Sequence, residues 1–135
     1  FLITGGAGFI GSHLALFLYE KGHQITIIDD FSTGNEIYLH NYEIIRGNIN
    51  NLEFFKKKLH HRRFDYLLHL ASKSIVSQSF AHEKQYIDTN VLGTKCIIEL
   101  CSYLKIKKVI FSSTAAVYGS SKNNKIAENF TFVYD

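Results

Sequence analysis

The stretch Phe1-Leu2-Ile3-Thr4-Gly5-Gly6-Ala7-Gly8-Phe9-Ile10-Gly11 decides the fold. Its first four residues are an apolar run stopped by two glycines, the pattern of a buried strand that ends in a tight turn. From Phe9 to Lys21 the residues Ile10, Leu14, Phe17 and Leu18 recur at helical spacing, and Gly22 follows as a terminator. Ile25-Thr26-Ile27-Ile28 is a second strand, rich in β-branched residues and closed by Asp29-Asp30. Strand, glycine turn, helix and strand in this order form a βαβ unit, whose crossover makes the two strands parallel.

The alternation continues along the chain. Tyr42 to Arg46 reads as a third strand, Asn51 to His60 as a helix capped by Asn50, and Tyr66 to Leu70 as a fourth strand. Glu83 to Leu104 reads as one long helix with Ile87, Val91, Ile98 and Cys101 on one side. Lys108 to Phe111 is a fifth strand that runs into Ser112-Ser113-Thr114. Strands alternating with helices predict an α/β, Rossmann-type doubly wound parallel sheet. No linker or repeat divides the chain, so residues 1–135 are expected to form one domain or most of one.

Composition narrows the function classes. With 46% hydrophobic residues and two cysteines, the chain is neither disordered nor a disulfide scaffold. It has no apolar run of the ~20 residues that a membrane helix needs. A net charge of +3 implies no polyanionic partner such as nucleic acid. The basic run Lys56-Lys57-Lys58 with His60-His61-Arg62-Arg63 reads as the solvated face and end of an amphipathic helix. Cys96 and Cys101 lack metal-ligand spacing and read as small core residues in a reducing compartment, so no metal is expected. His69 reads as a satisfied core histidine and His13 as structural, while Lys73 either pairs with phosphate or is solvated. Phe1 already lies inside an apolar run, and Phe132-Val133-Tyr134-Asp135 brings no closing helix, so the sheet is expected to be truncated at both ends.

The glycine turn carries chemistry. Gly6, Gly8 and Gly11 satisfy G-x-G-x-x-G, while Gly5, Gly8 and Gly11 satisfy the looser G-x-x-G-x-x-G. A glycine at the strand end permits the turn, Gly8 lets backbone approach a pyrophosphate, and Gly11 lets the helix pack close to the sheet. The helix N-terminus offers unpaired N–H groups and a positive dipole end to the phosphates. Asp29 closes the next strand, where a carboxylate accepts from both ribose hydroxyls and repels a 2′-phosphate. The pattern selects NAD over NADP.

These residues resemble the extended short-chain dehydrogenase/reductase family of NAD-dependent nucleotide-sugar epimerases and dehydratases. Thr4 to Leu14 is similar to the family's opening, and Asp29-Asp30-Phe31-Ser32-Thr33-Gly34 to its adenosine-binding segment. Gly47-Asn48-Ile49 stands where the family usually has Gly-Asp and an apolar neighbour beside the adenine. His69-Leu70-Ala71-Ser72 resembles the fourth-strand motif, Asn90-Val91-Leu92-Gly93-Thr94 the long-helix motif, and Phe111 to Gly119 the substrate end of the site.

The resemblance implies a cofactor site of Gly5, Gly8, Phe9, Ile10 and Gly11 at the turn, with Asp29, Asp30, Ser32, Thr33 and Gly34 around the adenosine. It adds Asn48 and Ile49 at the adenine, Leu70, Ala71 and Ser72 along the pyrophosphate and nicotinamide ribose, and Thr89, Asn90 and Ser112. Thr114 stands at the position that hydrogen-bonds the sugar oxygen being oxidised. Dehydratases place acidic residues directly after it, and here Ala115 and Ala116 can neither donate nor abstract a proton. The implied reaction is C4 epimerisation of a nucleotide sugar, UDP-glucose and UDP-galactose first, through a transient 4-keto sugar. Alternatives are dehydration, decarboxylation or reduction on the same scaffold, or a non-catalytic NAD-binding regulator. The family's Tyr-x-x-x-Lys is expected beyond the chain end, since Tyr134 comes too early and no Lys follows it. A cytoplasmic homodimer with a nucleotide-sugar substrate completes what the resemblance implies.

Overall fold

A computed structural model describes residues 1–36, 39, 42–118 and 126–127. Gly119 and Tyr134, named above, lie outside the described residues. Five strands form one sheet: β1 (Leu2–Thr4), β2 (Thr26–Asp29), β3 (Glu43–Arg46), β4 (Tyr66–His69) and β5 (Lys108–Phe111). Their order is β3-β2-β1-β4-β5, and every pairing is parallel. The chain leaves β1 towards β2 and β3, then returns to the other side of β1 for β4. The strand order reverses between β1 and β4, and ligands of such sheets bind at the carboxyl ends beside that switch point.

Successive side chains of a strand point to opposite faces, and each face here builds its own core. On one face, Leu2, Ile28, Ile45 and Leu67 pack with Phe55 and Leu59 of α2 (Leu52–Leu59) and with Ile97 and Leu100 of α5 (Thr94–Leu104). On the other, Ile3, Ile27 and Leu68 pack with Ala15 of α1 (Phe9–Glu20). Burying apolar side chains of this size stabilises by roughly 1.5–3 kcal/mol each, which is why the short strands need no alternating polar face.

Several expectations shift. α1 ends at Glu20, and Gly22 with φ +82 closes it as Gly22 N–H donates to the Tyr19 carbonyl at 2.8 Å. Of its expected apolar stripe, Leu14 and Leu18 reach the core while Ile10 and Phe17 stay exposed. The close approach of Gly11, Ser12 and Ala15 to the sheet turns that stripe partly outward. The cap of α2 is Asn51, whose Oδ1 accepts the Phe54 N–H at 3.3 Å. Asn50 lies one position too early, and its own N–H is already bonded to Asn48 Oδ1. β3 begins one residue later than expected, and β4 ends one residue earlier.

The largest shift concerns the helix expected over Glu83 to Leu104. It is three segments: α4 (Glu83–Tyr86), a π-helical stretch (Ile87–Gly93) and α5, preceded by a short α3 (Val76–Ser79). The i→i+5 bonding of a π-helix takes an extra residue per turn, so a face counted at 3.6 does not carry through it. Ile87, Val91 and Ile98 are exposed, and the buried side is Gly93, Ile97, Leu100 and Cys101. No helix among the described residues is long and apolar enough to cross a membrane.

Candidate nucleotide-binding site

Backbone proximity dictates the glycine turn. Gly5 has φ +73, and a Cβ there would lie 2.6 Å from the Ala71 nitrogen on the neighbouring strand end. A Cβ on Gly11 would meet the Gly5 carbonyl oxygen and stand 2.7 Å from Gly6 Cα. At Gly8 the nearest atom to an added Cβ is the Gly5 oxygen at 3.4 Å, leaving that side of the turn open. Ser12 N–H makes the first helical bond, to the Gly8 carbonyl at 2.9 Å. The N–H groups of Phe9, Ile10 and Gly11 therefore have no intrahelical partner, which suits an anion.

Asp29 is buried at the end of β2, and both its oxygens are engaged. Oδ2 accepts the Ala7 N–H and Oδ1 the Phe31 N–H, each at 2.8 Å. Asp30 accepts the Ser32 N–H at 2.9 Å and the Asn48 side-chain N–H at 3.1 Å. Asn35 N–H donates to the Ala7 carbonyl at 3.1 Å, tying the loop after β2 to the turn after β1. At the rim, the Arg46 guanidinium lies 4.2 Å from the Phe31 ring and pairs with Glu36.

The other wall follows β4. His69 is buried between two hydroxyls, Thr4 Oγ1 at 2.6 Å from Nδ1 and Thr94 Oγ1 at 2.9 Å from Nε2. The Thr94 hydroxyl donates its proton to the Asn90 carbonyl at 2.7 Å. Nε2–H must then donate to Thr94, and the Thr4 hydroxyl donates to Nδ1. Burial holds this imidazole below the usual histidine range, which favours the neutral ring that the chain of bonds requires. Asn90 also clips the loop after β4: the Lys73 N–H donates to its Oδ1 at 2.8 Å, and its Nδ2 donates to the Lys73 carbonyl at 2.9 Å.

Where these strand ends meet, a cleft of about 250 Å³ opens. Gly5, Gly8, Asp29, Asp30, Ser32, Thr33 and Gly34 line one part of it. Asn48, Ile49, Leu70, Ala71, Ser72 and Thr89 line the rest of what the sequence singled out. Phe9, Ile10, Gly11, Asn90 and Ser112 are not among the lining residues. Gly11 packs beneath the turn, Asn90 acts through Lys73, and Ser112 N–H extends the β4–β5 ladder to the His69 carbonyl at 3.2 Å. Thr114 is exposed beyond β5, outside the cleft lining, at the start of the 3-10 turn Ala115–Tyr118.

Sequence reasoning missed Ser74, Ile75, Gln78 and Tyr86 as lining residues. The Tyr86 hydroxyl donates to the Ile75 carbonyl at 2.6 Å, a long-range pin with no local signature. His13, read as structural, has Nδ1 2.7 Å from the Phe9 carbonyl of its own helix. Lys56 of the basic run pairs with Glu53, whose hydrogen bond raises the lysine's pKa. Among the described residues no group of three or more His, Cys, Asp or Glu side chains could hold a metal ion.

Residues 2–133 match the family model described as GDP-mannose 4,6 dehydratase. The chain belongs to that family. Membership in the GDP-mannose 4,6 dehydratase family places it among the extended short-chain dehydrogenases/reductases. It is 34% identical over 128 residues to the UDP-glucose 4-epimerase of Halalkalibacterium halodurans, an overlap of 95% of this chain and 38% of that protein. It is 37% identical over 128 residues to the dTDP-D-glucose 4,6-dehydratase of Dictyostelium discoideum, covering 88% of this chain and 30% of that one. The crystal structure of UDP-glucose 4-epimerase from Brucella ovis in complex with NAD superposes with a TM-score of 0.87 at 30% identity. That match covers 98% of this chain and 41% of the other. The chain thus spans about two-fifths of the length of such family members. Overall identity does not separate epimerase from dehydratase within the GDP-mannose 4,6 dehydratase family.

Proposed function

We propose that the full-length protein is an NAD-dependent nucleotide-sugar 4-epimerase interconverting UDP-glucose and UDP-galactose, with residues 1–135 forming its NAD-binding domain. The observation that carries the reading is the cleft itself: the open face of Gly8, the unpaired helix N-terminus and the buried Asp29 line up at the switch point of a parallel sheet. NAD fits this donor set. The N–H groups at the start of α1 take the pyrophosphate, and Asp29, whose oxygens each retain accepting capacity, takes the adenosine ribose. Asp30, Ser32, Thr33, Gly34, Asn48 and Ile49 enclose the adenosine, and Leu70, Ala71, Ser72 and Thr89 flank the nicotinamide half. NAD, when bound, accepts hydride from the sugar C4 and returns it.

The residues of this chain bind and orient. Thr114 holds the C4 oxygen of the sugar, and Ala115 and Ala116 keep acid away from the C6 hydroxyl, so elimination has no proton donor there. That pair favours the epimerase over the dehydratase reading suggested by the family's name and the Dictyostelium relative. The resemblance supports a cytoplasmic homodimer. Incubating the full-length protein with UDP-glucose and separating the nucleotide sugars tests the reading. UDP-galactose is expected. A 4-keto-6-deoxy product, or no conversion, overturns it.

A further inference from the structure

Asp30 and Asn48 occupy the ends of adjacent strands, and their side chains meet above the last backbone rung of the β2–β3 ladder. That rung is the Gly47 N–H donating to the Asp29 carbonyl at 2.9 Å. One position further on, Asn48 Nδ2 donates to Asp30 Oδ2 at 3.1 Å. The remaining polar atoms are also committed. Asp30 Oδ1 accepts the Ser32 N–H at 2.9 Å, and Asn48 Oδ1 accepts the Asn50 N–H at 3.0 Å. Turning the amide over would set its oxygen against a carboxylate and its NH₂ against an N–H, so its orientation is determined. Both residues line the cleft.

We propose that Asp30 and Asn48 act as one carboxylate–amide rung that sets the width and charge of the adenosine end of the cleft, with Asn48 a positioning residue for the loop Asp30–Ser32. The proposal rests on the NAD reading of the cleft and adds how its adenosine wall is held. Its chemistry requires one acceptor-only group and one donor-bearing group, in either order. A carboxylate at both positions sets like charges at hydrogen-bond distance, beside the third carboxylate of Asp29. One of them must then part from its neighbour or take up a proton. An amide at both positions still pairs.

The test uses the full-length protein and three variants: Asn48→Asp, Asp30→Asn and the two combined. Asn48→Asp is expected to weaken NAD binding by about tenfold at neutral pH, the effect of one pKa unit of repulsion. The loss should shrink as the pH falls and the crowded carboxyls share a proton. The combined variant restores the rung in reverse order, and it should recover most of the affinity and of the thermal midpoint lost by Asn48→Asp. Thermal unfolding without nucleotide separates the rung from the cofactor reading. If the parent protein does not bind NAD, the cofactor reading falls, and the rung is then judged by the unfolding midpoints alone. Unfolding midpoints that combine additively, with no recovery in the combined variant, overturn the rung. Recovery of the midpoint without recovery of NAD affinity overturns the positioning role, because an Asn48 that touched the nucleotide directly would not be rescued by exchange.

Discussion

The Ala7 N–H donates to Asp29 Oδ2 at 2.8 Å, so the carboxylate that closes β2 also holds the glycine turn that follows β1. Asp29 therefore serves the fold before any ligand arrives. Its second oxygen fixes Phe31, which has φ +59 and begins the loop around the adenosine end.

Replacing Asp29 should cost stability as well as affinity. In Asp29→Asn the amide group turns a donor toward one backbone N–H, and losing one charge-assisted bond costs about 1.5–3 kcal/mol. Urea unfolding of the full-length protein without nucleotide should show this, and calorimetric titration should show weaker NAD binding. An unchanged urea midpoint would mean that the carboxylate does not hold the turn.

Two glycines of the turn should separate cleanly. Gly11→Ala pushes a methyl onto rigid backbone, and overpacking of this kind costs on the order of 1–3 kcal/mol. Gly8→Ala meets nothing closer than 3.4 Å and keeps an extended φ of −75, so the fold should tolerate it. Its methyl stands where phosphate would approach, and NAD affinity should drop while the melting midpoint stays near that of the parent. A Gly8→Ala protein that binds NAD normally would remove the pyrophosphate from this turn.

His69 gives a pH dependence whose sign is set by burial. The unfolded chain takes up a proton as pH falls through about 6.5, and the folded protein, with its lowered value, does so only at more acid pH. The stability associated with neutral His69 is thus complete above about pH 6.5 and is lost as pH falls toward the folded value. His69→Phe should flatten that part of the profile. It also orphans the Thr4 hydroxyl, fully buried, at a cost of about 1–3 kcal/mol. Unfolding midpoints from about pH 8 down to about pH 5 check both effects, and a slope that survives in the variant assigns it elsewhere.

Asn90 should influence NAD without touching it. Asn90→Ala removes both bonds to Lys73 and frees the segment from Ser72 to Ile75 that lines the cleft. A fall in NAD affinity and faster amide exchange at Lys73 are expected. Unaltered exchange there would show that the segment is held by other contacts.

The half of the fold built on the glycine turn was legible because its signals are local. An apolar run, a G-x-G-x-x-G turn and an acidic strand end each report on a few neighbouring residues, and β1, α1 and β2 lie where those signals put them. Asn50 and Asn51 were harder, since either can cap a helix. The choice turns on the Asn48 side chain taking the Asn50 N–H. The Lys73–Asn90 clip and the Tyr86–Ile75 pin join residues 17 and 11 apart through backbone groups, which leave no trace in residue identity. The Asp30–Asn48 rung was visible only as two polar residues at separate motifs.

The π-helical stretch Ile87–Gly93 makes the number of residues in this region as consequential as their identity. It behaves as an insertion absorbed without a loop. Deleting any one of its residues would let the backbone run as a regular helix, yet would rotate the turns before the cut against those after it by about 100°. Asn90 and Thr89 face the cleft side, whereas Ile97 and Leu100 face the core. A one-residue deletion would keep one of these registers only by surrendering the other. Substitution can be absorbed along this segment more readily than any change in its length.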